Sequence, residues 1–310
     1  MTDLSVIIVS WNTREMLEMC IASVVMHLRS IVNVEIIVVD NASSDGSAEM
    51  IESGYPFVHL IKNNKNIGFA NAVNQGAIFS SGRMLLLLNS DARLMDARLM
   101  LAMGVLESDS SVGIATGQMV DGEGKEIPAY YRFPGFLYLV KSYTLDRVYT
   151  LGHQMRGRVR KCARNQDGTR ICDVDWVSGG YLLVKRELLA DYGLLDPRIF
   201  MYYEDALLCK RAWDTGYRVV FVDDASVLHE RGASAKQVRV KAIRYSYESS
   251  RLYIQSMYGD DTLKWYETVN RGMWRVLSKG LWLFEKLGLG RLATPKRKLF
   301  ENLLSTPRLT

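Results

Sequence analysis

Three short apolar runs in the first 92 residues each stop abruptly on small polar residues, and this constrains the fold more than any other feature of the chain. Val6–Val9 closes on Ser10-Trp11-Asn12, Ile36–Val39 on Asp40-Asn41, and Leu85–Leu88 on Asn89-Ser90-Asp91. Runs so brief and so uniformly apolar read as strands buried on both faces, the pattern of a parallel sheet covered by helices. The C-terminal ends of such strands share one edge, where ligands bind. Asp40 and Asp91 are therefore expected to converge on one cleft although 51 residues separate them. Two carboxylates with an asparagine nearby suit a nucleotide and a divalent cation.

Between and beyond the runs, the pattern alternates. Helices are expected over 13–28, with Asn12-Thr13 as a capping pair, over 47–53 after the turn-rich Asn41–Gly46, and over 69–80. A further strand is expected at Val58–Lys62. This is a nucleotide-binding α/β half with right-handed crossovers. After Asp91 follow a helix near 96–107, a strand over 112–120 and a turn at Asp121–Lys125. Residues 128–170 mix prolines, aromatics and a basic stretch from Arg156 to Arg164, and read as a long, partly mobile insertion. Order resumes at Val174–Val184. Helices are then expected at 186–191, Glu204–Trp213, 236–258 and 262–288, with strands at Val219–Val222 and Val227–His229. The fold class is α/β, with a mixed, mostly parallel central sheet, helices on both faces and a C-terminal helical extension. The expected boundaries are 1–92 for the nucleotide-binding half, 93–235 for the acceptor half with its insertion, and 236–310 for an amphipathic helical region.

A chain of 310 residues permits one large or two modest domains. No apolar run approaches the ~20 residues that span a bilayer, and the N-terminus lacks the pattern of a signal peptide. The expected location is cytoplasmic. Cys20, Cys162, Cys172 and Cys209 show no CxxC spacing, which speaks against zinc. They are expected as reduced thiols, with a Cys162–Cys172 bridge across a loop as the minor alternative. The net charge of +5 is uneven, since Lys264–Lys298 holds nine Lys/Arg against two Glu. Trp274, Leu277, Leu281 and Phe284, spaced by three and four, mark one face of a helix there. Such a helix either packs on the core or lies in the plane of an anionic membrane, and its Trp, Leu and basic content tips the expectation narrowly to the membrane. No basic-aromatic code for nucleic acid appears outside this tail.

Neither GxGxxG nor GxxxxGK[ST] follows the first strand, which argues against a Rossmann oxidoreductase or a P-loop NTPase. Ser10, Trp11 and Asn12 instead form a lip able to stack on a base. Asp40 either accepts the imide N–H of uracil or thymine, or merely shapes a turn. A Mg²⁺ or Mn²⁺ ion on a diphosphate needs only one or two carboxylates. Asp91 supplies one and Asn89 can assist, unless Asp91 only caps a helix. His229 either completes the ion's shell or is a hydrogen-bonded structural histidine. Glu204 and Asp205 open a helix, where acids favour the dipole. One of the two can face the cleft as a general base, since neighbouring positions point about 100° apart. Gly179 and Gly180 let a ligand approach the backbone closely. Trp176 covers a sugar face or fills the core, with nothing in the sequence to choose.

In order along residues 4–235, the segments Val6–Asn12, Val38–Ser47, Asn63–Asn74, Leu86–Ala92, Asp175–Arg186, Phe200–Arg211 and Val227–Ser234 resemble the family 2 glycosyltransferases of the GT-A fold, particularly the bacterial rhamnosyltransferase-like branch. The resemblance implies a nucleotide-diphospho-sugar donor, dTDP-rhamnose first and UDP-linked sugars second, with Ser10, Trp11, Asn12, Asp40, Asn66 and Ser90 on the nucleotide. It implies Trp176, Gly179 and Gly180 beside the donor or acceptor sugar. Asp91 matches the last acid of the metal-binding DxD motif, whose first carboxylate is here replaced by Asn89. His229 matches a histidine ligand from a later strand. Asp205 matches the catalytic base, with Glu204 as the second choice. The basic tail and the aromatic insertion suggest a lipid-linked glycan acceptor at the inner face of a bacterial plasma membrane, in cell-surface polysaccharide synthesis. A homodimer is left open. The rival readings are a sugar nucleotidyltransferase, for which the phosphate loop is missing, and a catalytically silent GT-A-like membrane-bound protein.

Overall fold

The computed structural model describes residues 2–143, 159–165, 167–190, 193–230, 239–286 and 290–309. Its strands are β1 (Leu4–Ser10), β2 (Val34–Asp40), β3 (His59–Lys62), β4 (Met84–Leu88), β5 (Ala92–Leu94), β6 (Val112–Thr116), β7 (Met119–Val120), β8 (Glu126–Ile127), β9 (Tyr130–Tyr131), β10 (Cys162–Arg164), β11 (Arg170–Asp173), β12 (Trp176–Val177), β13 (Tyr181–Lys185), β14 (Arg218–Val222) and β15 (Val227–His229). Its helices are α1 (Arg14–Leu28), α2 (Ser47–Gly54), α3 (Phe69–Phe79), α4 (Leu99–Ser108), α5 (Phe136–Ser142), α6 (Glu204–Asp214), α7 (Arg239–Tyr258), α8 (Asp260–Lys286) and α9 (Gly290–Leu304). Two compact units divide the chain: residues 1–133, 155–200 and 204–237 form one, and residues 134–154, 201–203 and 238–310 the other.

The first unit is built on a nine-stranded sheet in the order β10-β11-β14-β6-β13-β4-β1-β2-β3. The three apolar runs are its parallel heart, with β1 between β2 and β4 and Ser10 level with Asp40. Every residue of β4 is buried, as a strand covered on both faces requires. Val6, Ile8, Val38, Leu86 and Leu88 join Leu17, Ile21 and Val24 of α1 in one core. Each such side chain contributes about 1.5–3 kcal/mol by leaving water. The sheet is mixed because β13 runs antiparallel to both β4 and β6. That reversal brings the start of β13, not its end, to the ligand edge, with Tyr181 opposite Leu88. A small second sheet, β5-β15-β7-β8, pairs His229 with Ala92 and so sets the histidine next to Asp91.

Several expectations are corrected. Thr13 does not cap α1 with its side chain; the Arg14 N–H donates instead to Asp45 Oδ2 at 2.9 Å, from the loop after β2. Residues 92–94 form a strand rather than leading into a helix, so α4 starts at Leu99. The strand expected over 112–120 breaks after Thr116, because Gly117 passes so close to the Ala225 carbonyl that a Cβ would lie 1.5 Å from its oxygen. The helix expected at 186–191 is only a 3-10 turn, Arg186–Leu188, and residues 191–192 lie outside the described residues. Within the insertion, β9, α5 and β10 are described, whereas residues 144–158 and 166 lie outside the described residues. Cys162 and Cys172 are bonded rather than reduced, because the β10–β11 register sets them directly opposite with Cα atoms 4.1 Å apart.

In the second unit, helices pack around an aromatic interior. Trp274 is fully buried, donates its indole N–H to the Tyr143 carbonyl at 2.8 Å, and meets the Tyr247 ring edge-on with centroids 4.7 Å apart. Arg251 and Glu267 form a buried ion pair at 2.7 Å. The face of α8 expected to meet membrane is thus corrected. Trp274 belongs to the interior, Leu277 and Leu281 are half-buried beside it, and the Phe284 side chain lies outside the described residues. No described helix is long and apolar enough to cross a membrane.

Candidate active site

The ligand edge of the sheet is stitched together by short polar side chains at the strand ends. Ser10 Oγ lies 3.1 Å from Thr13 Oγ1, which donates to Ser90 Oγ at 2.9 Å, so the ends of β1 and β4 are tied through the first turn of α1. All three are buried, and Ser90 therefore serves this chain of hydroxyls rather than standing open to a ligand. Asp40, also buried, accepts the Ser43 N–H through Oδ2 at 3.0 Å. Its Oδ1 has no hydrogen-bond partner among the described residues. A buried carboxylate oxygen left so is costly unless a ligand donor meets it. The loop after β2 is held by Asn12, whose backbone is left-handed (φ 52°) and whose side-chain oxygen accepts the Ser44 N–H at 2.8 Å. Asn12 thus shapes the loop beside this edge. Trp11 is half-buried at the end of β1, and Asn66 accepts the Gly68 N–H at 3.0 Å in a local turn.

Asp91, Asn89 and His229 meet beyond β4. His229 Nε2 lies 3.1 Å from Asp91 Oδ1 and 3.3 Å from Asn89 Nδ2. One nitrogen cannot serve both at once. Protonated, it donates to Asp91; unprotonated, it accepts from Asn89 or offers its lone pair to a cation. Two adjacent ligands of an octahedral ion with bonds of ~2.1 Å stand about 3 Å apart, so the 3.1 Å separation already suits a shared Mg²⁺ or Mn²⁺. The pair supplies one oxygen and one nitrogen, and among the described residues no group of three His, Cys, Asp or Glu side chains could hold a metal. An ion here needs donor phosphate oxygens and water to fill its shell.

The start of β13 separates this pair from a second carboxylate. The Gly179 N–H donates to Asp205 Oδ2 at 3.0 Å, while Asp205 Oδ1 accepts the Ala206 N–H at 2.8 Å. At Gly180 a Cβ would lie 2.7 Å from His229 Cε1 and 3.1 Å from Asn89 Nδ2. Consecutive glycines thus border the carboxylate on one side and the imidazole on the other. Part of Asp205 reaches solvent, yet the protein packed around its carboxyl raises its pKa to about 6 against the pull of the backbone N–H groups of Gly179, Ala206 and Asp205 itself. A carboxylate in that range takes a proton readily near neutral pH. Glu204, its neighbour, is buried.

Of the two readings of Trp176, sugar contact or core, the core holds: it is 1% exposed, stacks on Tyr131 with centroids 4.6 Å apart, and donates to the Arg132 carbonyl at 2.9 Å. Several residues that build the site escaped the sequence reading. Thr13 links two strand ends, as above. Asn41, buried behind Asp40, donates to the Gly68 carbonyl at 3.2 Å and accepts from Asn63 at 3.0 Å. Gly68 (φ +89°) lies so close to Phe200 that a Cβ would meet the Phe200 carbonyl oxygen at 2.5 Å. Tyr202 and Tyr203, immediately before Glu204, both hold positive φ, 76° and 67°. Such backbone is rare for bulky residues and costs of order 1–3 kcal/mol each. Only Gly68 carried a legible signal, since a glycine opening a helix after an Asn-rich loop marks special backbone.

Comparison with known proteins gives the family and the fold. The description "Glycosyl transferase family 2" matches residues 5–166, just over half of the chain. The N-acetylglucosaminyl-diphospho-decaprenol L-rhamnosyltransferase of Mycobacterium tuberculosis, in strains CDC 1551 / Oshkosh and ATCC 25618 / H37Rv, is 25% identical over an alignment 272 residues long that covers 82% of this chain and 85% of that protein. Among solved structures, GalNAc-T7 with UDP, GalNAc and Mn²⁺ superposes with a TM-score of 0.54 at 17% identity, over 87% of this chain and 54% of its own. The mannosyltransferase PcManGT from Pyrobaculum calidifontis, in complex with GDP-Man and Mn²⁺, gives 0.50 at 15% identity over 97% and 84%. S. aureus TarS gives 0.52 at 15% identity over 88% of this chain but 43% of TarS, so the chain spans less than half of that protein's length. At these identities the structural likeness is one of fold, and the fold is GT-A. With the family match running through β1, β2 and β4 and the edge they form, the chain belongs to glycosyl transferase family 2 and is a nucleotide-sugar glycosyltransferase.

Proposed function

We propose that the chain transfers an L-rhamnosyl group from dTDP-rhamnose to a hydroxyl of a glycan carried on a lipid diphosphate, with inversion at the anomeric carbon. The supporting observation is the Gly179–Gly180 step, which touches Asp205 on one side and the Asp91–His229 pair on the other. The 25% identity to a decaprenol-linked L-rhamnosyltransferase across most of both chains supports the donor and the acceptor class.

Asp40 Oδ1 accepts the N3–H of the thymine ring. The left-handed Asn12 and the loop it holds frame the nucleoside. Asp91 and His229 hold the divalent cation, with Asn89 beside them. A divalent cation held there would supply positive charge against the departing diphosphate. Asp205 accepts the proton of the acceptor hydroxyl as its oxygen bonds to the anomeric carbon. The bond from that carbon to the diphosphate breaks on the opposite face, and dTDP leaves. No covalent enzyme intermediate forms. Residues 1–235 act as the transferase domain, working against the inner face of a bacterial plasma membrane where the lipid carrier lies.

The experiment is a transfer assay with dTDP-rhamnose, Mn²⁺ and a synthetic N-acetylglucosaminyl diphospholipid, the product linkage read by NMR. Transfer with inversion is expected, with UDP-sugars much poorer donors. Efficient turnover of a UDP-sugar and none of dTDP-rhamnose would overturn the donor assignment. Retention of configuration would overturn the role of Asp205.

A further inference from the structure

The outward side of α8 carries a second apolar row, distinct from the one buried in the helical unit. Trp265 is 68% exposed, Val276 71%, Trp282 50% and Leu283 56%. At about 100° per residue, Trp265, Val276 and Leu283 fall within about 20° of one line along the helix. Trp282 shares the azimuth of Lys264 and Arg275, beside that line, and Lys279 and Lys286 lie between. All four cations are exposed.

Two acids of this stretch, Glu267 and Glu285, lie on the opposite side of the helix, while Asp261, exposed at its start, shares the azimuth of Lys279. Glu267 is paired inside with Arg251, and Glu285 pairs with Arg297 at 3.0 Å. Lys264 meets Asp261 at the start of the helix, at 3.1 Å. Among the described residues no carboxylate pairs with Arg275, Lys279 or Lys286, and the Lys286 ammonium sits 5.5 Å over the Trp282 ring. The face therefore offers unbalanced positive charge next to bare aromatic and aliphatic surface.

We infer that this face of α8 is an in-plane docking surface for an anionic lipid bilayer. Trp265, Val276 and Leu283 enter the headgroup–acyl boundary, Trp282 lies at headgroup level, and Arg275, Lys279 and Lys286 meet lipid phosphates. Charge decides the occupant. A second copy of the same face would set cations against cations, whereas an acidic leaflet complements them and its acyl region takes the apolar row. The lipid-linked acceptor of the proposed function gives this contact its purpose, but the evidence for it lies in α8 alone.

The test is flotation of the full-length protein with vesicles of phosphatidylcholine, with and without about 30% phosphatidylglycerol, at about 0.1 M salt. Wild-type protein should partition at least about tenfold more strongly onto the anionic vesicles, since each cation near the surface adds about fivefold. The triple variant Trp265→Ser, Val276→Ser, Leu283→Ser and the double variant Arg275→Glu, Lys279→Glu should each lose about tenfold or more. These positions are exposed, so circular dichroism and Tm should not change. Wild-type protein left in the soluble fraction, or variants that float as well as wild type, would overturn the inference. So would self-association in the absence of vesicles that the triple variant abolishes, since the face would then hold a second copy. Vesicle binding without sugar transfer would keep this inference and remove the functional one; transfer to a water-soluble acceptor analogue without vesicle binding would do the reverse.

Discussion

The ligand edge of the nine-stranded sheet and the helical unit differ in how the chain specifies them. At the edge, each candidate position follows local grammar: an apolar run ends, the strand ends with it, and the next polar residues stand at the shared edge. Ser10, Asp40 and Asn89-Ser90-Asp91 obey this rule, and parallel pairing sets them side by side. In the helical unit the same apolar periodicity is satisfied by two faces of α8. One, centred on Trp274, is taken by the aromatic interior, and the other, from Trp265 to Leu283, is left outside. A strand buried on both sides has no choice of face, whereas a helix with apolar residues on two faces is oriented only by what packs against it.

The sharpest test of the first half of this contrast is Asp205→Asn. Loss of the base should lower kcat by about 10²–10⁴-fold while leaving donor affinity unchanged by calorimetry. Wild-type kcat should rise with pH through about 6, where Asp205 ionises. The pKa is raised on folding, so its effect on stability has the opposite sign from a salt-bridged acid. The cost of ionising Asp205 is absent well below pH 4, grows from there, and is nearly complete above about 6. Wild-type protein should therefore lose about 1–2 kcal/mol relative to the Asn variant between pH 4 and 7.5, a range discounted for the side chain's partial exposure and read from urea midpoints at the two pH values.

For the second half, Trp274→Ala should destabilise the protein by about 3–5 kcal/mol in chemical denaturation, whereas Trp265→Ala should cost about 0.5 kcal/mol or less. Equal effects would mean that α8 presents a different face to the interior. A smaller but more local effect separates the two glycines. In Gly180→Ala the new methyl would lie 2.7 Å from His229 Cε1 and must displace the imidazole, so Mn²⁺-dependent donor affinity should fall about 10–100-fold. In Gly179→Ala the methyl would have 3.6 Å to Asp205 Cβ, an ordinary contact, and donor affinity should change by less than about threefold. Similar losses in both would contradict the division of labour between these neighbours.

Much of the fold was legible because buried parallel strands announce themselves. β1, β2 and β4 lie where their apolar runs predict, and the sheet is of the expected mixed class. Elements failed where a tertiary contact overrode local preference. The broken strand at Gly117 answers to the Ala225 carbonyl, and Cys162 found Cys172 through a hairpin register that composition does not encode. The site shows the same split. Asp40, Asp91 and His229 could be placed at one edge in advance because strand ends carry them. Trp176 was undecided because a tryptophan before a glycine pair looks the same on a sugar as in a core. The supporting residues stayed hidden for a plainer reason: Thr13, Asn41, Tyr202 and Tyr203 act through hydrogen bonds and backbone angles that exist only once distant segments have met.

The central claim is that Asp91 and His229 together hold a divalent cation beside the base Asp205. It is tested most directly by crystals grown with dTDP and Mn²⁺, with the metal located by its anomalous signal. The account predicts one strong peak bonded to Asp91 and His229, with the diphosphate on the same ion and thymine against Asp40. A metal bound to the nucleotide but away from both side chains would contradict it, and so would the nucleotide lying at another edge of the sheet.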